Sequence, residues 1–172
     1  MKNYLEEKQA YINRVISHSR TTADLMILLE LNRDRLPFEI PEWELVRRGV
    51  QHDLDKLNTD YANVIVSIYV DELNENDTKE LEKRHKMCHN HGDVSPHHMA
   101  YHKLHGTTPS NLDICEMCCD FVASSQKPRF KNQKKTPKEA FIEYVLNNEP
   151  DLEPLREKFI KVFDLLKELS SK

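Results

Sequence analysis

The stretch Ser110-Asn111-Leu112-Asp113-Ile114-Cys115-Glu116-Met117-Cys118-Cys119-Asp120-Phe121-Val122 decides how the chain folds. Ser110 to Asp113 reads as a helix cap, and the helix it opens runs to about Ser125. Leu112, Ile114, Cys115, Met117, Cys118, Cys119, Phe121 and Val122 cover almost its whole circumference. A helix that is apolar all round is a buried one. Yet Asp113, Glu116 and Asp120 run along it at i, i+3 and i+7 as an acidic stripe. An unpaired buried charge is costly. Either Arg or Lys neutralises the stripe, or Asp120 faces a metal held by His52 and Asp53, with Glu116 or Asp113 behind it.

Downstream, Lys127 to Lys138 carries six basic residues and no acid, and reads as a solvated loop. Beside a metal site the same charge would attract a phosphate-bearing ligand. Thr136-Pro137-Lys138-Glu139 caps a helix bearing Phe141, Ile142, Val145 and Leu146, which Asn147 to Pro150 ends. Leu155, Phe159, Val162, Phe163, Leu166 and Leu169 form the apolar stripe of a final helix.

Upstream, a first helix is expected from about Asn3 to Asn32, with Tyr11, Val15, His18, Thr22, Leu25 and Leu29 on one face. His18 in such a stripe is a hydrogen-bonded core histidine or an inward-pointing metal ligand. Pro37 and Pro41 break that helix, and Pro41 can open the next, carrying Trp43, Leu45, Val46 and Val50. Tyr61 to Leu73 is apolar enough for a buried helix, although Val64-Ile65-Val66-Ser67-Ile68-Tyr69-Val70 also has strand propensity. Asp77-Thr78-Lys79-Glu80 is a capping box for a helix through about His89.

Only three glycines, few alternating β-branched runs and many Leu, Glu and Lys point to an all-α fold. The expected architecture is a single domain over 1–172, a bundle of about six to eight helices. A net charge of −4 gives no general affinity for nucleic acid, and no apolar run is long enough to span a membrane. The N-terminus lacks the apolar core of a signal peptide, so the expected location is the cytoplasm, with Cys88, Cys115, Cys118 and Cys119 as thiols or ligands.

The chemistry centres on Gln51-His52-Asp53-Leu54-Asp55-Lys56. Adjacent imidazole and carboxylate groups suit a divalent metal. Lys56, three residues after Asp53, brings a cation near the same place. Seven of the nine histidines lie between His85 and His105, too many for one small site. On a helix, His98, His102 and His105 would share a face and His97 would point elsewhere.

His18, then His52-Asp53, then Asp120 resembles the HD-domain superfamily of metal-dependent phosphohydrolases, whose pattern is H…HD…D on separate helices of an all-α bundle. The chain is most similar to a bacterial and phage branch with HDLSKF at His52 to Leu57, NxHH at Ser95 to His98 and EMxxDW at Glu116 to Phe121. Ser95 stands where that branch has Asn, and Phe121 where it has Trp. The resemblance covers about residues 10 to 125, leaving the helices of 137–170 as an addition. It implies a divalent metal (Mn, Fe, Co, Ni, Zn or Mg) on His18, His52, Asp53 and Asp120. A second ion would involve His98 first, then His85 or His91. It also implies hydrolysis of a nucleotide or related phosphate ester, with Lys56 neutralising charge and Glu116 moving protons.

Three other readings compete. Some superfamily members carry a di-iron centre and oxidise their substrates. Cys88-x2-His91 and Cys115-x2-Cys118 have the spacing of a structural zinc site that would staple a binding or regulatory module, although buried cysteines also pack as small hydrophobes. An HD-like binding module is the last reading, and the intact set of presumed ligands argues against it.

Overall fold

The computed structural model describes residues 4–57, 91–125 and 135–171. Among them every regular element is helical. The α-helices are α1 (Tyr4–Glu30), α2 (Glu44–Gln51), α3 (Met99–His105), α4 (Asn111–Ser125), α5 (Pro137–Phe141) and α6 (Arg156–Leu169). The helices read from Tyr61 to His89, with His85 and Cys88, lie outside the described residues, as does most of the basic stretch. No described helix is long and apolar enough to cross a membrane. The described residues group into two compact units. The first holds the described parts of Met1–Ser19 and Asp53–Thr108, the second those of Arg20–His52 and Pro109–Lys172.

In the first unit, the N-terminal part of α1 buries Tyr11 and Val15 as its periodicity predicts. The Tyr11 hydroxyl donates to the Lys56 carbonyl at 3.2 Å and ties α1 to a 3-10 turn at Leu54–Leu57. Residues 91–94 are helical and lead to α3. Gly106 ends α3 at φ 61°, a left-handed position that favours glycine. His98 is the extended cap of α3 rather than part of it, so the expected face of His98, His102 and His105 does not form. His102 instead staples the segment, with Nε2 2.7 Å from the Pro96 carbonyl and Nδ1 2.9 Å from Thr107 Oγ1. His105 is exposed and stacks near Tyr101.

In the second unit, α4 is the central helix and packs against α2, α5 and α6. Ile114, Cys115, Cys118 and Cys119 are fully buried, as the all-round apolar pattern requires. Phe141 stacks near Phe121, Phe159 and Phe163 with ring centroids 5.0–5.2 Å apart. The capping box at Thr136 and Glu139 forms as read, and a π-helical turn, Ile142–Leu146, extends α5. Trp43 departs from expectation. It adopts φ 67° ahead of α2 and is 65% exposed, so Leu45 is the residue that enters the core.

Gly49 on α2 sets a close helix crossing inside this unit. A Cβ there would lie 2.8 Å from Met26 Cβ and 3.1 Å from Ala23 Cα on α1. Neither atom is the free end of a side chain, so the helices themselves would have to part. Ala is the better helix former by about 1 kcal/mol, yet overpacking dominates here. Gly49→Ala is therefore expected to destabilise the chain by about 1–3 kcal/mol in urea unfolding, and an unchanged midpoint would contradict the crossing.

Candidate metal centre

Helix α2 ends at Gln51, His52 is extended, and Asp53 turns into the left-handed region at φ 60°. Asp is one of the few residues that enters this region without prohibitive strain. The turn separates neighbours in sequence, giving His52 to the second unit and Asp53 to the first.

Within the first unit, Asp53 is 3% exposed and is surrounded by cationic or metal-ligating groups. Lys56 Nζ donates to Oδ2 at 2.7 Å, as the three-residue spacing predicts. His18 Nε2 lies 3.5 Å from the same oxygen. His91 Nε2 and His97 Nε2 lie 3.1 and 3.6 Å from Oδ1. His18 thus points inward at Asp53, a position that suits a hydrogen-bonded core histidine and a metal ligand alike. His97, expected to point elsewhere, faces Asp53 because Pro96 and the extended His98 hold it ahead of α3. His91, His97 and His98 bring one ring nitrogen each within 4.8 Å of one another, as do ligand atoms of Asp53, Asp55 and His91. These buried His and Asp groups could hold a metal ion, since imidazole and carboxylate are donors that divalent transition metals accept.

Asp55 was not singled out by the sequence as a site residue. Its Oδ2 accepts from His91 Nδ1 at 2.6 Å, and Ser95 Oγ is 3.2 Å from the same nitrogen. Partial burial raises the Asp55 carboxyl, but the hydrogen bond and charge of His91 outweigh it and hold the group below the ordinary aspartate value.

In the second unit, the acidic stripe of α4 meets Arg48 of α2. Arg48 Nη1 donates to Glu116 Oε2 at 2.9 Å, and Nη2 lies 3.2 Å from Asp113 Oδ1. Asp113 also closes the α4 cap with Ser110. Glu116 Oε1 accepts from His52 Nδ1 at 3.0 Å, and His52 Nε2 lies 3.8 Å from Asp120 Oδ1. Glu116 is 2% exposed and held on both oxygens, so its geometry is that of a group that orients His52 rather than one that moves protons. Arg48 was the missing cation, and nothing local marks it among its neighbours in the sequence.

The other expected sites resolve differently. Cys115 and Cys118 are buried free thiols, and Cys118 Sγ donates to the Phe159 carbonyl at 3.9 Å. Burial pushes both thiols well above their ordinary pKa, which suits packing rather than ligation. Of the basic stretch, Lys135 pairs with Glu143 and Lys138 with Asp164 at 2.6 Å.

Residues 7–163 match the model of a family described as "Family of unknown function (DUF5662)", and the chain belongs to that family. No curated protein and no solved structure matches it.

Arg48→Leu should leave Glu116 and Asp113 buried without their cation and destabilise the chain by about 3 kcal/mol in chemical denaturation. Adding Glu116→Gln should recover part of that loss. A change within about 0.5 kcal/mol for the single variant would show that Arg48 does not neutralise the stripe.

Proposed function

We propose that this chain of the DUF5662 family is a metal-dependent phosphohydrolase acting on a nucleotide or a related phosphate ester. The observation that carries the reading is the convergence of His18, His91, His97 and Lys56 on the buried Asp53 carboxylate. A structural role alone would be met by one basic partner. Three imidazoles around one carboxylate form a donor set of the kind that divalent metals select, and the Lys56 ammonium, which has no lone pair to give, balances the charge of that carboxylate. His18, Asp53, His91 and His97 would hold the ion, with His98 beside the latter two histidines. The likeness to the HD superfamily alone names His52 and Asp120 as ligands too; within the second unit His52 Nε2 lies 3.8 Å from Asp120 Oδ1.

A bound divalent ion would lower the pKa of a water molecule and polarise a phosphoryl oxygen. The residues of the chain prepare the rest. Lys56 Nζ donates to Asp53 Oδ2 at 2.7 Å, and its side chain is 22% exposed, so its ammonium can also meet an anionic substrate. Glu116, clamped by Arg48, holds the His52 ring with Nδ1 as donor and Nε2 turned toward Asp120. A phosphate-bearing small molecule fits this balance of charge better than a polyanion does, given a net charge of −4. A cytoplasmic setting fits the three described cysteines, all free.

The test is metal content by mass spectrometry for protein purified without chelator, beside a His52→Ala, Asp53→Ala double variant. The wild type should carry about one or two transition-metal ions and the double variant none, and loaded wild type should hydrolyse at least one member of a nucleotide and phosphate-ester panel. Equal metal in both proteins, or a loaded wild type inert across the panel, would overturn the reading.

A further inference from the structure

Two buried histidines are held in the same way, each within its own unit. His52 Nδ1 meets Glu116 at 3.0 Å, and His91 Nδ1 meets Asp55 at 2.6 Å. Glu116 is almost fully buried, whereas the Asp55 side chain is 43% exposed at the edge of the 3-10 turn. We infer that Asp55 is a positioning residue, which fixes His91 with Nδ1 as hydrogen-bond donor and thereby commits Nε2 to the Asp53 side.

The argument is one of valence. An ionised carboxylate only accepts hydrogen bonds, so the proton of this short contact sits on His91 Nδ1. A nitrogen that donates to Asp55 has no lone pair for a metal. Nε2 is then the ligating atom, and it is the nitrogen 3.1 Å from Asp53 Oδ1. Ser95 Oγ, 3.2 Å from Nδ1, is a weaker neutral partner and cannot set the ring alone. Carboxylates placed behind ligating histidines typically raise metal affinity by one to two orders of magnitude, about 10–100-fold. Where the HDLSKF motif has Ser, this chain has Asp55, so the device belongs to its own sequence.

The inference rests on the metal-binding part of the proposed function, and the experiment separates the two. The full chain is prepared as wild type, Asp55→Asn and Asp55→Glu. Co2+ affinity is read by competition with a chelator. The metal-free, 15N-labelled proteins are examined by NMR for the hydrogen-bonded Nδ1–H proton of His91, assigned with His91→Gln. Asp55→Asn should weaken Co2+ binding about 10–100-fold and lose or move that resonance, and Asp55→Glu should restore much of both. A merely structural role would lower the melting temperature without moving the resonance. Wild-type affinity together with an unmoved Nδ1–H signal in Asp55→Asn overturns the inference. If the wild type takes up no Co2+, the metal reading fails and the Nδ1–H resonance alone decides: its loss in Asp55→Asn upholds the role of Asp55, and its persistence removes it.

Discussion

A carboxylate removed from water must be surrounded by groups that share its charge, and the buried Asp53 is under that requirement. Its burial explains why α1 brings His18 inward, why Lys56 sits one turn later, and why His91 and His97 direct their Nε2 atoms toward it. The same residue takes up the left-handed backbone turn after α2. Outliers of this type cost on the order of 1 kcal/mol and persist where the surroundings over-determine them. Here the surroundings are one ammonium and three imidazoles, so electrostatics hold what the backbone alone would relax.

The second unit solves a related problem with a different cation. Helix α4 is apolar around its circumference and still carries Asp113, Glu116 and Asp120. Arg48 reconciles these features by meeting two of the three carboxylates with one planar guanidinium. Its neighbour Gly49 lies against Met26 and Ala23. Helix α2 thus presents its bare backbone to α1 and the Arg48 cation to α4, and both follow from two adjacent residues. The resulting position sends the end of α2, with His52, toward Glu116.

What the sequence reveals follows from the range of each interaction. The all-helical class, the burial of α4, the caps at Ser110 and Thr136, the inward face of α1 and the proximity of Lys56 to Asp53 are all set within a few residues, and each is legible. Arg48 and Glu116 are 68 positions apart and Asp55 and His91 are 36, so neither pairing has a local signature. The histidine cluster shows a third difficulty. Each residue of helix rotates a side chain by about 100°, and because α3 starts at Met99 with His98 as its extended cap, His97 lies outside the helical spacing and faces Asp53. His102 looked equivalent to its neighbours in sequence and serves as a staple because a carbonyl and a hydroxyl lie within reach of its two nitrogens. Trp43 is expected within the helix that Pro41 opens, and one left-handed backbone angle leaves it ahead of α2 and exposed.

The three cysteines of α4 give the second unit a property unrelated to metal. Alkylating reagents attack the thiolate, and in the native core that form is suppressed by burial for Cys115, Cys118 and Cys119 alike. Their labelling is therefore gated by opening of the helix packing around α4. Three adjacent thiols at the centre of the core act as a built-in clock, whose ticking measures how often that core breathes.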